Sequence, residues 1–412
     1  MSLQDTPSGE RVHIGLFGRR NAGKSSLLNG ITGQSVAIVS EEKGTTTDPV
    51  KKAMELLPVG PVLWIDTPGM DDDSTLGGKR VKKTRQWWQT VDMALLVLDG
   101  SSRDFSREKE LLAELRQAHK PYGILVNKED QMQDEDKDFF RQAFPEEDIV
   151  FTCAKKPEAM EQLRDVLAKK CYETLSGEKR ELLPDWISPK KPVVLVVPVD
   201  SAAPKGRLIL PQQMVLRAVL DKGAYSIVTK ETELKEVLET MGEKPQLVIT
   251  DSQAFSYVSS IVSEAVPLTS FSILMARYKG DLKRQVEGAD VLDRLEEGAK
   301  ILISEGCSHH RQCDDIGTVK LPGWIRNYTG KNFHFSFTSG GEFPSQPEAD
   351  LIIHCGGCTL HEKEMKRRIR QAGESGIPMT NYGILIAKMN GILARSLSPL
   401  TDKPCQSIKN HV

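Results

Sequence analysis

The sequence predicts an α/β fold, a first domain on a mostly parallel sheet followed by two further α/β domains. Three observations lead there. Short apolar runs alternate with amphipathic stretches along the 412 residues. The first such run ends in a glycine-rich turn that opens a helix. Two late runs end in cysteines.

In the first block, residues 1–175, VHIGLFG, VLWIDTPG, ALLVLDG and YGILVNK are short, apolar and bounded by turn residues, as buried strands are. SSLLNGITG, SREKELLAELRQAHK and AMEQLRDVLAKKCYETL carry helical spacing between them. Such alternation gives a parallel sheet covered on both faces. Residues 176–191, SGEKRELLPDWISPKK, are polar and broken by two prolines, and are expected as a linker. Block two, 192–266, has strands VVLVVPVD, AYSIVTK and QLVITD, and helices PQQMVLRAVLD, ETELKEVLETM and SYVSSIVSEAV. It shows no catalytic constellation, which suits a scaffold or oligomerisation module. Block three, 267–412, opens on FSILMARYKGD. VLDRLEEGAKILISEG is expected as a helix running into a strand, FHFSFTSG and DLIIHCGG as strands, and EKEMKRRIRQAGESG as a charged helix stopping near Gly373 or Gly376.

Hydrophobic content of 39% and charged content of 27% are those of a soluble globular chain. A net charge of −2 argues against nucleic acid as the main partner. No apolar run reaches membrane-spanning length, and MSLQDTPSGERVH lacks a signal-peptide core, so a cytoplasmic protein is expected. Seven cysteines in a chain this long make no disulfide framework; clustered, they suggest metal or redox chemistry.

Gly18-Arg19-Arg20-Asn21-Ala22-Gly23-Lys24-Ser25 fits the P-loop pattern G-x-x-x-x-G-K-[ST] between a strand and a helix. Backbone N–H groups there, with Ala22 and Ser26 alongside, approach phosphates; Lys24 reaches the β and γ phosphates and Ser25 ligates magnesium. Asp66-Thr67-Pro68-Gly69 follows a strand: Asp66 holds magnesium through water and the Gly69 N–H meets the γ-phosphate. Asn127-Lys128-Glu129-Asp130 has the N-K-x-D form, in which the Asp130 carboxylate accepts two hydrogen bonds from guanine and so selects GTP. Cys153-Ala154-Lys155 stands where such proteins carry Ser-Ala-Lys, a site expected to use mainly backbone. A GTPase follows from these four motifs in order, with Lys24, Gly69 and a switch I threonine as its catalytic groups. In Gly44-Thr45-Thr46-Thr47-Asp48, resemblance to the TrmE–Era GTPases picks Thr46 as the magnesium ligand. Met70 occupies the place of a water-orienting glutamine and cannot polarise water. GRRNAGKSSLLN resembles potassium-activated GTPases, which implies that Asn21 helps hold K+ beside the phosphates.

Cys307-x-His309 and His354-Cys355-x-x-Cys358 supply three thiols and two imidazoles. Such donors suit zinc, in a closed tetrahedron, or an iron–sulfur cluster whose fourth iron takes a histidine or an exchangeable ligand. The spacing does not separate the two. Cys313, six residues after Cys307, could substitute as a ligand but is expected as a helical or loop thiol; His310 and His361 are expected as exposed neighbours, and Cys153, Cys171 and Cys405 have no expected metal role. KEMKRRIRQ, 363–371, is expected as a solvated helix face, with the meeting of an acidic partner as the lesser alternative.

The P-loop with the Cys-x-His and His-Cys-x-x-Cys pair, together with TPSGERVHIGLFGRRNAGKSSLLN, VVLVVPVDSAAPKGRLILPQ and SFSILMARYKGDL, resembles the FeFe-hydrogenase maturation GTPases of the HydF family over nearly the whole chain. The resemblance implies a GTPase domain (1–175), a dimerisation domain (192–266) forming a homodimer, and an iron–sulfur domain (267–412). It implies a 4Fe-4S cluster on Cys307, Cys355 and Cys358, with His309 and His354 as motif histidines and His354 the candidate fourth ligand. A scaffold of this family holds a transient diiron precursor built by the radical SAM maturases HydE and HydG and delivers it to the apo FeFe-hydrogenase. The competing expectation is a TrmE–Era-type RNA-modification or ribosome-assembly GTPase with structural zinc. A GTPase remnant on a metal scaffold, and a general iron–sulfur carrier, are further alternatives.

Overall fold

The computed structural model describes residues 6–33, 49–69, 87–175, 181–199, 208–307, 316–340, 343–344 and 346–401. The chain forms two compact units, Met1–Lys179 and Arg180–Val412.

In the first unit, β1 (Val12–Phe17), β2 (Val50–Leu56), β3 (Gly60–Asp66), β4 (Met93–Asp99), β5 (Tyr122–Asn127) and β6 (Ile149–Phe151) form one sheet ordered β2-β3-β1-β4-β5-β6. All neighbours are parallel except β2, which runs antiparallel to β3. Ile14, Leu16, Leu95 and Val97 pack on one face and Phe17, Ala94, Leu96 and Leu98 on the other. Burial on both faces is why the central strands are unbroken apolar runs in the sequence. Edge strand β2, VKKAMEL, is mostly exposed and polar, and had no strand signal of that kind.

The second unit holds two parallel four-stranded sheets. β7 (Pro192–Val196), β8 (Tyr225–Thr229), β9 (Leu247–Thr250) and β10 (Leu268–Ser270) are ordered β10-β9-β7-β8. β11 (Lys300–Ser304), β12 (His334–Thr338), β13 (Leu351–His354) and β14 (Met379–Asn381) are ordered β12-β11-β13-β14. One hydrophobic core serves both: Val194, Val196 and Val248 of the first sheet pack in the same cluster as Ile301, Ile303, Leu351 and Ile353 of the second.

Three expectations change. The boundary at 266/267 moves, because β10 lies beyond it yet pairs with β9. The linker 176–191 is structural where it is described: Leu182, Leu183 and Ile187 join the core around Val193 and Val215, and Trp186 Nε1 donates to Pro399 O at 2.9 Å. VLDRLEEGAK is not a helix; the helix Leu282–Asp290 precedes it, Val291–Arg294 make a short 3-10 turn, and Gly298 at φ 80° breaks the rest.

Candidate functional site

The P-loop leaves the C-terminal end of central strand β1. A Cβ at Gly18 would stand 2.2 Å from the Val97 carbonyl oxygen, and one at Gly23 would stand 2.1 Å from Asn127 Nδ2. Only glycine fits at either place. Asn21 takes φ 65°, a left-handed conformation that asparagine tolerates, and is exposed. Gly23 then opens the helix Lys24–Thr32, whose free N–H groups and dipole favour an anion. Lys24 is buried, and its Nζ donates to the carbonyls of Gly18 (2.9 Å) and Arg19 (2.8 Å). Arg19 ties the loop to Asp104 (2.9 Å), just ahead of the helix Ser106–Gln117, and to Glu108 within it (3.0 Å), an anchor the motif alone did not reveal.

Ser25 Oγ donates to Asp66 Oδ2 at 2.5 Å. Burial pushes the Asp66 carboxyl up, opposed by this bond and by Lys24. Asp66 Oδ1 is buried with no hydrogen-bond partner among the described residues. An orphaned carboxylate oxygen beside a P-loop serine fits a hydrated divalent cation. Gly69 is described and half-buried; Thr46, its neighbours 44–48 and Met70 lie outside the described residues.

On the base side, Asn127 at the end of β5 is a brace. Its Nδ2 donates to Ala22 O (3.0 Å) and its Oδ1 accepts from Ala154 N (3.1 Å). Lys128, at φ 68°, donates to Asp99 Oδ2 at 2.6 Å. Asp130 is exposed, as a guanine-reading carboxylate needs to be. Buried Cys153 does more than expected: its thiol donates to Asp130 Oδ1 at 3.2 Å and so orients that carboxylate. Lys155 is exposed on its loop, and Ser26 is exposed in the first turn of the helix Lys24–Thr32.

The cysteines follow adjacent parallel strands, β11 and β13, with Ser304 in register with His354. Cys355 N donates to Ser304 O at 2.9 Å, and Thr359 Oγ1 ties across to Gly306 O at 3.0 Å. Cys355 Sγ accepts from Gly306 N (3.1 Å) and Gly357 N (3.4 Å). Lys279, 1% exposed, donates to the carbonyls of Cys358 (2.8 Å) and Leu360 (2.9 Å). Burial, then Cys358, push the Cys355 thiol up to about 12. Among the described residues no three Cys, His, Asp or Glu side chains meet closely enough to hold a metal ion, and His309 lies outside those residues. The donor set still fits a thiolate-bound group: three thiols on loops at one end of one sheet, with N–H···S bonds aimed at Cys355.

His354 corrects the candidate fourth ligand. Its ring is buried; Nδ1 donates to Cys355 O at 2.8 Å, and Nε2 accepts from Arg368 Nη1 at 3.0 Å. Burial and the Arg368 charge hold its pKa down to about 3. Both nitrogens are in use, so His354 offers no free lone pair. It is half of a brace whose other half, Arg368, is 0% exposed. Arg368 also donates to Glu364 Oε1 (2.9 Å) and Gly340 O (2.8 Å), over the Phe343 ring. Gly340 N in turn donates to Cys307 O at 3.3 Å.

Comparison with known proteins decides the family. Residues 182–280 match the hydrogen maturase F dimerization domain, and residues 283–399 match the hydrogen maturase F tetramerization domain. The chain belongs to the hydrogen maturase F (HydF) family. In front of those domains, residues 13–128 match the family described as 50S ribosome-binding GTPase. GTPase Der of Campylobacter hominis is 31% identical over 173 residues, 42% of this chain and 37% of that protein. The tRNA modification GTPase MnmE of Heliobacterium modesticaldum is 33% identical over 159 residues, 38% of this chain and 34% of that protein. The chain thus spans little more than a third of these two relatives. The solved G domain of the T. maritima FeoB iron transporter aligns at 21% identity and TM-score 0.32, over 39% of this chain and 99% of that one. No helix among the described residues is long and apolar enough to cross a membrane.

Proposed function

We propose that this HydF-family chain is a GTP-hydrolysing scaffold that holds and hands on the diiron precursor of the FeFe-hydrogenase active site. The orphaned Asp66 oxygen beside Ser25, in a chain whose second unit matches both HydF domains, carries the reading. Lys24 and the helix N-terminus offset phosphate charge, Ser25 and Asp66 hold Mg2+, and Asp130, steadied by Cys153, accepts from the guanine N1 and N2 groups. Magnesium, when bound, neutralises charge developing on the β and γ phosphates. Asn21 holds K+ in place of a glutamine or arginine finger, and Thr46 and Gly69 close on the γ-phosphate.

Cys307, Cys355 and Cys358 hold a 4Fe-4S cluster, with the fourth position left to His309 or an exchangeable ligand. Such a cluster would supply an iron with an exchangeable coordination position. The homodimer exchanges cargo with HydE, HydG and the apo-hydrogenase in the cytoplasm, and nucleotide state sets partner affinity through the switch segments.

Anaerobic reconstitution with iron and sulfide tests this. About four irons and four sulfides per chain, lost on Cys355→Ala, are expected. Stoichiometric zinc that iron does not displace would move the chain to a MnmE-like GTPase with structural zinc. Equal hydrolysis rates in sodium and potassium would remove the K+ role.

A further inference from the structure

Away from both sites, the last turn of helix Phe271–Lys279, the start of helix Leu282–Asp290 and one face of helix Glu362–Glu374 enclose a groove of about 490 Å³. Arg277, Arg284, Lys366 and Arg370 line it together with Asp281, and Leu282 supplies apolar surface over the largely buried Ile369. Lys366, Ile369 and Arg370 share that face because they are spaced i, i+3, i+4.

The charges are unevenly matched. Arg284 Nε lies 3.5 Å from Asp281 Oδ2, and Lys366 pairs with Glu362. Among the described residues no carboxylate pairs with Arg277 or Arg370, and Arg277 Nη1, itself closed off from solvent, finds no hydrogen-bond partner there. A guanidinium without a carboxylate partner presents its remaining N–H groups as a fork that an incoming carboxylate fits. In a chain of net charge −2, such a concentration of unmatched cations is a local feature rather than a general one.

We infer that this groove docks an acidic, partly apolar segment of a protein partner, carboxylates on Arg277 and Arg370 and an apolar side chain against Leu282. Nucleic acid suits it less, because none of its lining residues is an aromatic ring on which a base could stack. The inference stands independently of the cluster and its cargo. It places a partner close to the cysteine loops all the same, since Lys279, two residues after Arg277, holds the Cys358 carbonyl.

The test uses the full chain and a fluorescein-labelled peptide of alternating glutamates and leucines. Binding is expected to weaken as salt rises, and to fall at least about tenfold on Arg277→Glu/Arg370→Glu, with GTP hydrolysis unchanged. Arg277→Gln/Arg370→Gln is the second variant, should charge reversal disturb folding. Peptide affinity equal in the wild-type chain and the glutamine variant overturns the inference, and so does absence of binding at low ionic strength. Tighter binding of oligouridylate reassigns the groove to nucleic acid. Loss of self-association on the same substitutions reassigns it to a second copy of this chain.

Discussion

Replacing Arg368 with methionine should loosen the whole cysteine-bearing end of the second unit. The side chain is fully buried and makes three separate bonds, to His354 Nε2, Gly340 O and Glu364 Oε1. Glu364 keeps a partner, because Arg367 holds both its oxygens at 2.7 and 2.8 Å. His354 Nε2 and Gly340 O keep none of equal strength, at a cost of ~1–3 kcal/mol for each buried acceptor left open. Loss of the contact with Phe343 adds ~0.5–2 kcal/mol. Methionine regains some of this, since it escapes the desolvation of a guanidinium. A net loss of about 3 kcal/mol follows, a fall in Tm of roughly 6–12 °C for a unit of this size. Thermal unfolding of the full chain by circular dichroism measures it, with thiol labelling of Cys307 and Cys355 as a local readout. Arg368→Lys should recover little, because an ammonium cannot span the three acceptors as a planar fork does. A Tm within about 1 °C of wild type, with unchanged thiol labelling, would refute the bracing argument.

Three further outcomes are expected. Cys153→Ala should weaken GTP binding several-fold, by the ~0.5–1.5 kcal/mol of one hydrogen bond, and Cys153→Ser should restore it; equal affinities by fluorescent-GTP titration would remove the Cys153–Asp130 coupling. Asp104 is held down to about 2 from 3.8, first by the Ser106 backbone N–H and then by Arg19. A depressed carboxylate stabilises the fold above its ordinary pKa and loses that contribution as pH falls between those two values, so Asp104→Ala should flatten that part of the acid-unfolding curve. Lys279→Met should free the turn at Cys358 and Leu360 and speed alkylation of Cys358 by iodoacetamide, read by mass spectrometry; an unchanged rate would mean the loop holds itself.

The nucleotide site was legible in the sequence because its parts are local. Gly18, Gly23, Lys24 and Ser25 lie within one turn, and the strands beneath them are buried on both faces. What escaped is long-range or atypical. β10 and β14 are three residues each, too short to show a period. Leu182, Leu183, Trp186 and Ile187 carried an apolar signal that two prolines masked. Arg368 sits in a basic run that looks solvated, yet Met365, Ile369 and Ala372 define a buried stripe at i, i+4 and i+7, and Arg368 falls inside it. The stripe was visible; the partner on β13 was not, because only the fold brings His354 to it. The thiol of Cys153 escaped for a similar reason, since it reaches Asp130 across 23 positions.

The core shared by the two sheets of the second unit has a consequence for how this protein can be divided. The two HydF matches meet between residues 280 and 283, but no seam in the packing lies there. A chain severed at that point would leave Val194, Ile273 and Ala276 on one piece and Ile301, Ile353 and Ile384 on the other, each a raw hydrophobic surface. The two sheets, and the cysteine loops that the second carries, are therefore expected to melt as one cooperative unit, and neither sheet is portable into another protein without the other.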